Sequence, residues 1–163
     1  DIGTGSGCIA IALARRLPEA QVTAVDLSVE ALALAQRNAE LHGAAVEFLQ
    51  GSFFEPVAGR RFDLIVSNPP YITSADLLAL QPEVRDHEPI LALDGGPDGL
   101  TAYRAIVSQA ATHLEPNGWL LLEVGAGQAA DVAALLAQAG FGGIITATDP
   151  GGIERVVGGR YGA

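Results

Sequence analysis

The chain opens on a glycine-rich turn and then runs apolar from Cys8 to Ala14, stopping at Arg15-Arg16. This predicts a helix over about Gly7 to Leu17, ended by Pro18, because proline disfavours a helical conformation in the residue before it. Gln21 to Asp26 (QVTAVD) has the short apolar pattern of a buried strand. Ser28 is a good N-cap for a helix with apolar residues at Leu32, Ala35 and Leu41, and His42-Gly43 closes it with glycine just past the end. Val46 to Leu49 and Phe62 to Ser67 (FDLIVS) predict two further strands, the second ended abruptly by Asn68-Pro69-Pro70-Tyr71. The connection from Ile72 to Gly99 has little periodicity. Connections of that length in compact domains are uncommon and often functional. Beyond it the pattern predicts a helix over Leu100 to His113, a strand over Gly118 to Val124 and a helix over Gln128 to Ala139. Strands over Ile144 to Thr148 and Glu154 to Gly159 complete the chain.

Strands alternate with helices, so the pattern predicts an α/β domain with a doubly wound, mostly parallel sheet. The turn Asp149-Pro150-Gly151-Gly152 is too short for a right-handed crossover, so the last strand should run antiparallel. Asp1 already belongs to a motif that follows a strand. The expectation is therefore that most of a first strand lies upstream and is truncated in this segment.

Composition narrows the class. The 163 residues suffice for one domain with a sizeable core, and 49 % hydrophobic against 17 % charged residues excludes a disordered chain. No apolar run approaches the roughly 18 residues of a membrane helix, and no basic-then-apolar signal peptide is present. The single cysteine excludes an internal disulfide and makes a reducing, cytoplasmic setting the expectation. A net charge of −10 is the wrong sign for a phosphate-backbone binder, so direct contact with nucleic acid is not expected.

Candidate chemistry begins at Asp1-Ile2-Gly3-Thr4-Gly5-Ser6-Gly7. Alternate glycines permit a tight turn and bring backbone N–H groups close to a ligand, and the following helix presents its positive end there. Asp26, at the end of the next strand, suits a carboxylate accepting from both hydroxyls of a ribose. A dinucleotide fold prefers the spacing G-x-G-x-x-G, whereas here it is G-x-G-x-G with Cys8 where the third glycine would fall. An acid directly before the turn favours a ligand with cationic groups. S-adenosylmethionine, with its ammonium and sulfonium, fits that better than a pyrophosphate.

Asn68-Pro69-Pro70-Tyr71 is the sharper signal. The prolines lack N–H groups and fix their own φ, leaving a stiff turn with carbonyls able to accept. With the Asn68 side-chain oxygen they can grip both hydrogens of an –NH2 group, and Tyr71 offers a flat face to a planar amide or base. An amide nitrogen is a poor nucleophile because its lone pair is delocalised. Two acceptors on its hydrogens can turn that lone pair towards a sulfonium methyl, so that transfer depends mainly on positioning. His42, His87 and His113 are scattered, and the sequence shows no metal-ligand cluster.

With Asp1 to Gly7, Ala24 to Leu27 and Ser67 to Ile72, the chain resembles class I S-adenosylmethionine-dependent methyltransferases acting on amino groups. Pro82 to Arg85, Glu88-Pro89, Ala92 to Leu100 and Glu154 to Arg160 resemble, more specifically, the HemK/PrmC type, over nearly the whole chain. That family methylates the side-chain amide of the glutamine in a Gly-Gly-Gln tripeptide of peptide chain release factors. The resemblance implies a seven-stranded Rossmann-like sheet and a catalytic domain over 1–163, with an N-terminal helical domain absent here. It also implies a release factor as protein partner. Asp1, Gly3, Thr4, Gly5, Ser6 and Gly7 would hold the methionine part of the cofactor and Asp26 the ribose, with Leu27 also among the cofactor-binding residues. Ser52 and Phe53 would border the adenine, Asn68 would stand between cofactor and substrate, and Asn68, Pro69, Pro70 and Tyr71 would hold the glutamine amide. The family often has an acid after the third strand where this chain has Ser52, so Phe53 is expected to carry more of the adenine contact.

Other readings stay open at this level. An enzyme acting on the N6 amino group of adenine in nucleic acid shares the Asn-Pro-Pro-Tyr turn, and a non-catalytic cofactor-binding module shares the glycine turn. A nicotinamide dehydrogenase fits the glycine spacing poorly. Glu83, Arg85, Asp86, His87 and Glu88 form a charge run that reads either as solvated surface or as a lid. Asp94 and Asp98 are expected to build turns with Gly95, Gly96 and Gly99, and Arg155 and Arg160 to pair with acids. Cys8 and Trp119 are expected in the core. The oligomeric state is not legible.

Overall fold

A computed structural model describes residues 1–77 and 90–162, leaving aside the side chains of residues 90 and 91. The chain gathers into two compact units, Asp1–Arg60 and Arg61–Ala163.

In the first unit, helix α1 (Cys8–Arg16) follows Gly7, whose left-handed φ of 84° turns the chain into it. Arg15 and Arg16 fall in its last turn, where cations oppose the helix dipole. Strand β1 (Val22–Asp26) buries Thr23, Ala24 and Val25. Helix α2 (Val29–His42) is capped as the sequence predicts. Ser28 Oγ accepts the Ala31 N–H at 3.1 Å, and Gly43 ends the helix at φ 59°. Leu32, Ala35 and Ala39 form its buried stripe. Leu41, predicted to belong to that stripe, is 80 % exposed. Strand β2 (Val46–Gln50) runs parallel to β1, and Ile2 makes a parallel bridge to Val25 on the other side of β1.

In the second unit, β3 (Phe62–Ser67) pairs in parallel with β4 (Leu114–Glu123). Strand β4 pairs antiparallel with β6 (Glu154–Tyr161), and β6 antiparallel with β5 (Phe141–Thr148), giving the order β3-β4-β6-β5. The short helices α3 (Ser74–Leu77) and α4 (Ile90–Leu93) flank residues 78–89, which lie outside the described residues together with the charge run of Glu83 to Glu88. Helix α5 (Thr101–Ala110) buries Tyr103, Ile106 and Val107, and α6 (Ala129–Gln138) buries Val132 and Leu136. The core includes Leu114, Leu120, Leu122, Val124 and Val157, each at 0 % exposure.

The α/β class and the antiparallel last strand agree with the sequence reading, but the sheet is mixed and not mostly parallel: two of the described strand pairings are parallel and two antiparallel. The Asp149 turn that reverses the chain is closed by its own carboxylate, which accepts the Gly151 and Ile153 N–H groups at 2.8 and 3.0 Å. Six strands in two sheets stand among the described residues, where seven in one sheet were expected, and the Ile2 bridge is all that stands at the place of the first. Strand β4 begins at Leu114 instead of Gly118, passing an irregularity opposite Phe62 and Leu64, with Asn117 at φ 68°. The helix predicted to reach His113 ends at Ala110 and tightens into a 3₁₀ turn over Ala111–His113. Cys8 is exposed, because it occupies the outward side of the first turn of α1. Trp119 is only half-buried. Arg155 does pair with Asp149, at 3.2 Å, whereas Arg160 donates to the carbonyl of Asn117. No helix among the described residues is long and apolar enough to cross a membrane.

Candidate active site

The glycine turn is built against the end of β1. Gly3 and Thr4 both donate their N–H groups to the Val25 carbonyl, at 2.8 and 3.0 Å, and Gly7 donates to the Thr4 carbonyl. Gly3, Gly5 and Gly7 all take the left-handed backbone that favours glycine, with φ of 70°, 55° and 84°. A Cβ on Gly3 or Gly5 would meet nothing within 4 Å, so those positions face open space, whereas at Gly7 it would stand 3.1 Å from both Ala35 Cβ and Ile11 Cδ1. The third glycine is packed closely against α1 and α2, and the first two leave a cradle.

Two carboxylates frame the cradle. Asp1 Oδ2 accepts the Thr4 hydroxyl at 2.6 Å and the Ala10 N–H at 3.2 Å. Asp1 Oδ1 is buried and has no hydrogen-bond partner among the described residues. A buried carboxylate oxygen without a donor is costly, and a cationic ligand group would satisfy it. Asp26 Oδ2 accepts the Gly5 N–H at 2.8 Å and Oδ1 accepts the Ser28 N–H at 2.9 Å. Each of these oxygens retains a second acceptor site, one for each hydroxyl of a diol. Asp1, Thr4, Gly5 and Asp26 are therefore brought into one bonded network. Leu27 beside them is 58 % exposed. Ser6 lies with its Oγ 3.1 Å from Cys8 Sγ.

The sequence reading missed two members of this unit. Asn38, on α2, donates to the Ser6 carbonyl at 2.9 Å and ties the turn to that helix. Glu55 accepts the Ser52 N–H at 3.3 Å, so a carboxylate does reach the segment after β2, from three positions further on. Phe53 is half-buried with a left-handed φ of 44°, an uncommon conformation for a bulky residue, while its neighbour Phe54 is 2 % exposed and belongs to the core.

In the second unit, Ser67 ends β3 buried, Asn68 is exposed, Pro69 is buried, and Pro70 and Tyr71 are half-buried. The chain beyond the turn is knitted to the glycine loop that Asp94 and Asp98 build, as expected. Ile72 and Asp94 form a bridge, Asp94 Oδ1 accepts the Gly96 N–H and the Ser74 hydroxyl, both at 2.8 Å, and Asp98 Oδ1 accepts the Leu100 N–H. Gln128 is the residue missed here. It donates from Nε2 to the Tyr71 carbonyl at 3.0 Å.

The first unit thus holds a glycine cradle with an acid on each side, and the second a proline-stiffened polar turn ending a strand, within an α/β fold. The chain belongs to the methyltransferase small domain family, whose model matches residues 1–84. It is 62 % identical over 162 residues to the release factor glutamine methyltransferase of Geobacter sulfurreducens, covering 99 % of this chain and 57 % of that protein. To the protein of the same description from Gloeobacter violaceus it is 54 % identical over 160 residues, covering 96 % and 56 %. The chain thus spans little more than half the length of the curated relatives it matches. Its fold is similar to that of a methyltransferase from Pyrococcus furiosus, with a TM-score of 0.74 at 20 % identity, over 99 % of this chain and 73 % of that one.

Proposed function

We propose that this chain is the catalytic domain, over residues 1–163, of a cytoplasmic S-adenosylmethionine-dependent methyltransferase. Its substrate is the side-chain amide nitrogen, N5, of the glutamine in the Gly-Gly-Gln motif of a peptide chain release factor. The observation that carries the reading is the 62 % identity over 162 residues with a release factor glutamine methyltransferase. The complete protein adds a helical N-terminal domain and the rest of a first strand, and its sheet is a doubly wound one of seven strands. The release factor is met as protein, without direct contact to nucleic acid.

The donor set fits the cofactor. The orphaned Asp1 Oδ1 suits a cationic group, the open faces of Gly3 and Gly5 admit close approach, and the spare acceptor sites of Asp26 suit a ribose. Thr4, Ser6 and Gly7 would complete the turn around the methionine part, Leu27 would stand among the cofactor-binding residues, and Ser52 with Phe53 would border the adenine. Bound S-adenosylmethionine supplies an electrophilic methyl on its sulfonium. The chain contributes alignment. The Asn68 side-chain oxygen and the Pro69 carbonyl accept the two hydrogens of the glutamine amide, and Pro70 stiffens the turn. The ring of Tyr71 packs on the amide plane. These acceptors strip the nitrogen of its free rotation and aim its lone pair, which is catalysis by orientation and electrostatics. We assign no general base among the described residues, and the nitrogen gives up its proton to water after transfer.

The test offers the full-length protein methyl-labelled cofactor with a release factor and, separately, an adenine-containing oligonucleotide. Label on the release factor is expected. Label on the oligonucleotide, with binding that weakens steeply in salt, would overturn the reading in favour of a nucleic-acid amino methyltransferase.

A further inference from the structure

Resting on the methyl transfer proposed at the Asn68–Tyr71 turn, we infer that Gln128 is a positioning residue. Its side-chain amide holds the Tyr71 carbonyl and fixes the turn that aligns the substrate amide.

Pro69 and Pro70 have no N–H groups, so two of the turn's four residues cannot be held through a backbone donor and the carbonyls carry more of the hold. Gln128 Nε2 supplies a donor from outside, 3.0 Å from the Tyr71 carbonyl and 3.4 Å from that of Gly99. Its Oε1 accepts the Gly125 N–H at 3.0 Å. The orientation of the amide follows from chemistry: two carbonyls require a donor and one N–H requires an acceptor. A carboxylate of the same shape would set an anion against both carbonyls, and a thioether could donate to neither of them.

The surroundings are shaped around this contact. A Cβ on Gly99 would stand 2.5 Å from the Tyr71 oxygen and 2.6 Å from Gln128 Nε2. A Cβ on Gly125 would stand 2.7 Å from Gln128 Oε1 and 2.9 Å from Tyr71 Cδ2. Behind them Tyr103, wholly buried, donates its hydroxyl to the Glu123 carbonyl at 2.9 Å. Burial also pushes the Tyr103 phenol's pKa up, so it remains a donor. Past the turn the backbone is pinned by Ile72 N–H to Leu93 O at 3.1 Å, Gly95 N–H to Ile72 O at 2.8 Å, and Ser74 N–H to Gly96 O at 2.9 Å. Gln128 thus joins the turn to the Gly99 loop and to the end of β4. Loss of this hold lets the turn drift, and misplacement by about 1 Å is enough to cost on the order of a hundredfold in rate.

The test uses the full-length protein with Q128E and, from the other side of the contact, G99A. In both, kcat towards the release factor should fall by about tenfold or more. Cofactor Kd and release-factor KM should change little; the thermal midpoint should fall in G99A, whose φ of 73° and 2.5 Å backbone contact strain an alanine, but with no parallel loss of cofactor affinity. Amide exchange of Ile72, Ser74 and Gly95 should accelerate in Q128E, while that of Val157 should not. A merely structural role would lower the thermal midpoint and weaken cofactor binding together with kcat, and that pattern overturns the inference. So does undiminished kcat, or unchanged exchange at Ile72 and Ser74. If Q128E does not fold, G99A decides alone. If the wild-type protein leaves the release factor unmethylated while exchange at the turn still accelerates, the functional reading fails and the hold on the turn stands.

Discussion

Asp26 Oδ2 accepts the backbone N–H of Gly5 at 2.8 Å, so the acid at the end of β1 fixes the middle of the glycine turn. One carboxylate therefore shapes the cradle and also offers acceptor sites to whatever fills it. Asp26→Ala should weaken S-adenosylmethionine binding by at least about tenfold, which corresponds to about 1.4 kcal/mol. Asp26→Asn should lose less, because its amide oxygen can still accept from Gly5. Calorimetric titration of both variants checks the order, and equal losses would mean that the Gly5 contact contributes nothing to the site.

The glycines of the turn should separate by function. Gly7→Ala combines a left-handed φ of 84° with contacts at 3.1 Å to Ala35 and Ile11, so it should lower folding stability by about 1–3 kcal/mol. Gly5→Ala meets open space within the chain, and its stability loss should be confined to the backbone term, about 1–2 kcal/mol. Its cofactor affinity should nevertheless fall sharply, because the added methyl enters the cradle. Urea unfolding beside calorimetry distinguishes the two effects. A Gly5→Ala variant that binds normally would remove the turn from the cofactor site.

After β2, Phe53 and Ser52 divide unequally. Ser52 can offer hydrogen bonds but no charge, and Phe53 presents a half-buried ring. Phe53→Ala should cost more cofactor affinity than Ser52→Ala, since an aromatic contact to a base is worth on the order of 1–3 kcal/mol. Titration calorimetry reads the difference directly, and equal affinities in the two variants would contradict it.

The local signals of the sequence were the reliable ones. Ser28 and Gly43 mark the ends of α2, and the paired glycines of the Asp149 turn mark the reversal into β6, because caps and tight turns are decided by a few adjacent residues. The glycine turn and Asp26 were legible for the same reason. Cys8 misled because an apolar residue in the first turn of a helix can face either way, and Trp119 because it lies on the half-buried face of β4, alternating with the buried Gly118, Leu120 and Leu122. Phe53 and Phe54 are adjacent, yet only the backbone conformation separates the ring in the core from the one left half-buried. Gln128 was invisible: it meets Tyr71 across 57 positions of chain, and nothing in its neighbourhood marks a glutamine that bridges two loops.

Acid should expose the pair that closes the loop before α5. The Arg104 guanidinium, bonded to Asp98 together with the Leu100 N–H, pulls the Asp98 pKa down to about 2. The folded value lies below the unfolded one, so this group's stabilisation is present above the ordinary carboxylate pKa of 3.8 and is lost as pH falls towards about 2. Both side chains are 49 % exposed, so salt should weaken the contribution. Arg104→Ala should return the Asp98 titration upwards, as followed by its carboxyl NMR shift. An unchanged midpoint would mean that the arginine is not the cause.

In the proposed reaction the Asn68–Tyr71 turn aligns a glutamine amide for methylation. This alignment is tested most directly by incubating the full-length protein with S-adenosylmethionine and a release factor, then locating the added methyl by tandem mass spectrometry. A single methyl is expected on the side-chain nitrogen of the Gly-Gly-Gln glutamine, transferred at least about a hundredfold more slowly by Asn68→Ala with cofactor binding largely retained. A methyl at any other residue, or undiminished transfer by Asn68→Ala, would contradict it.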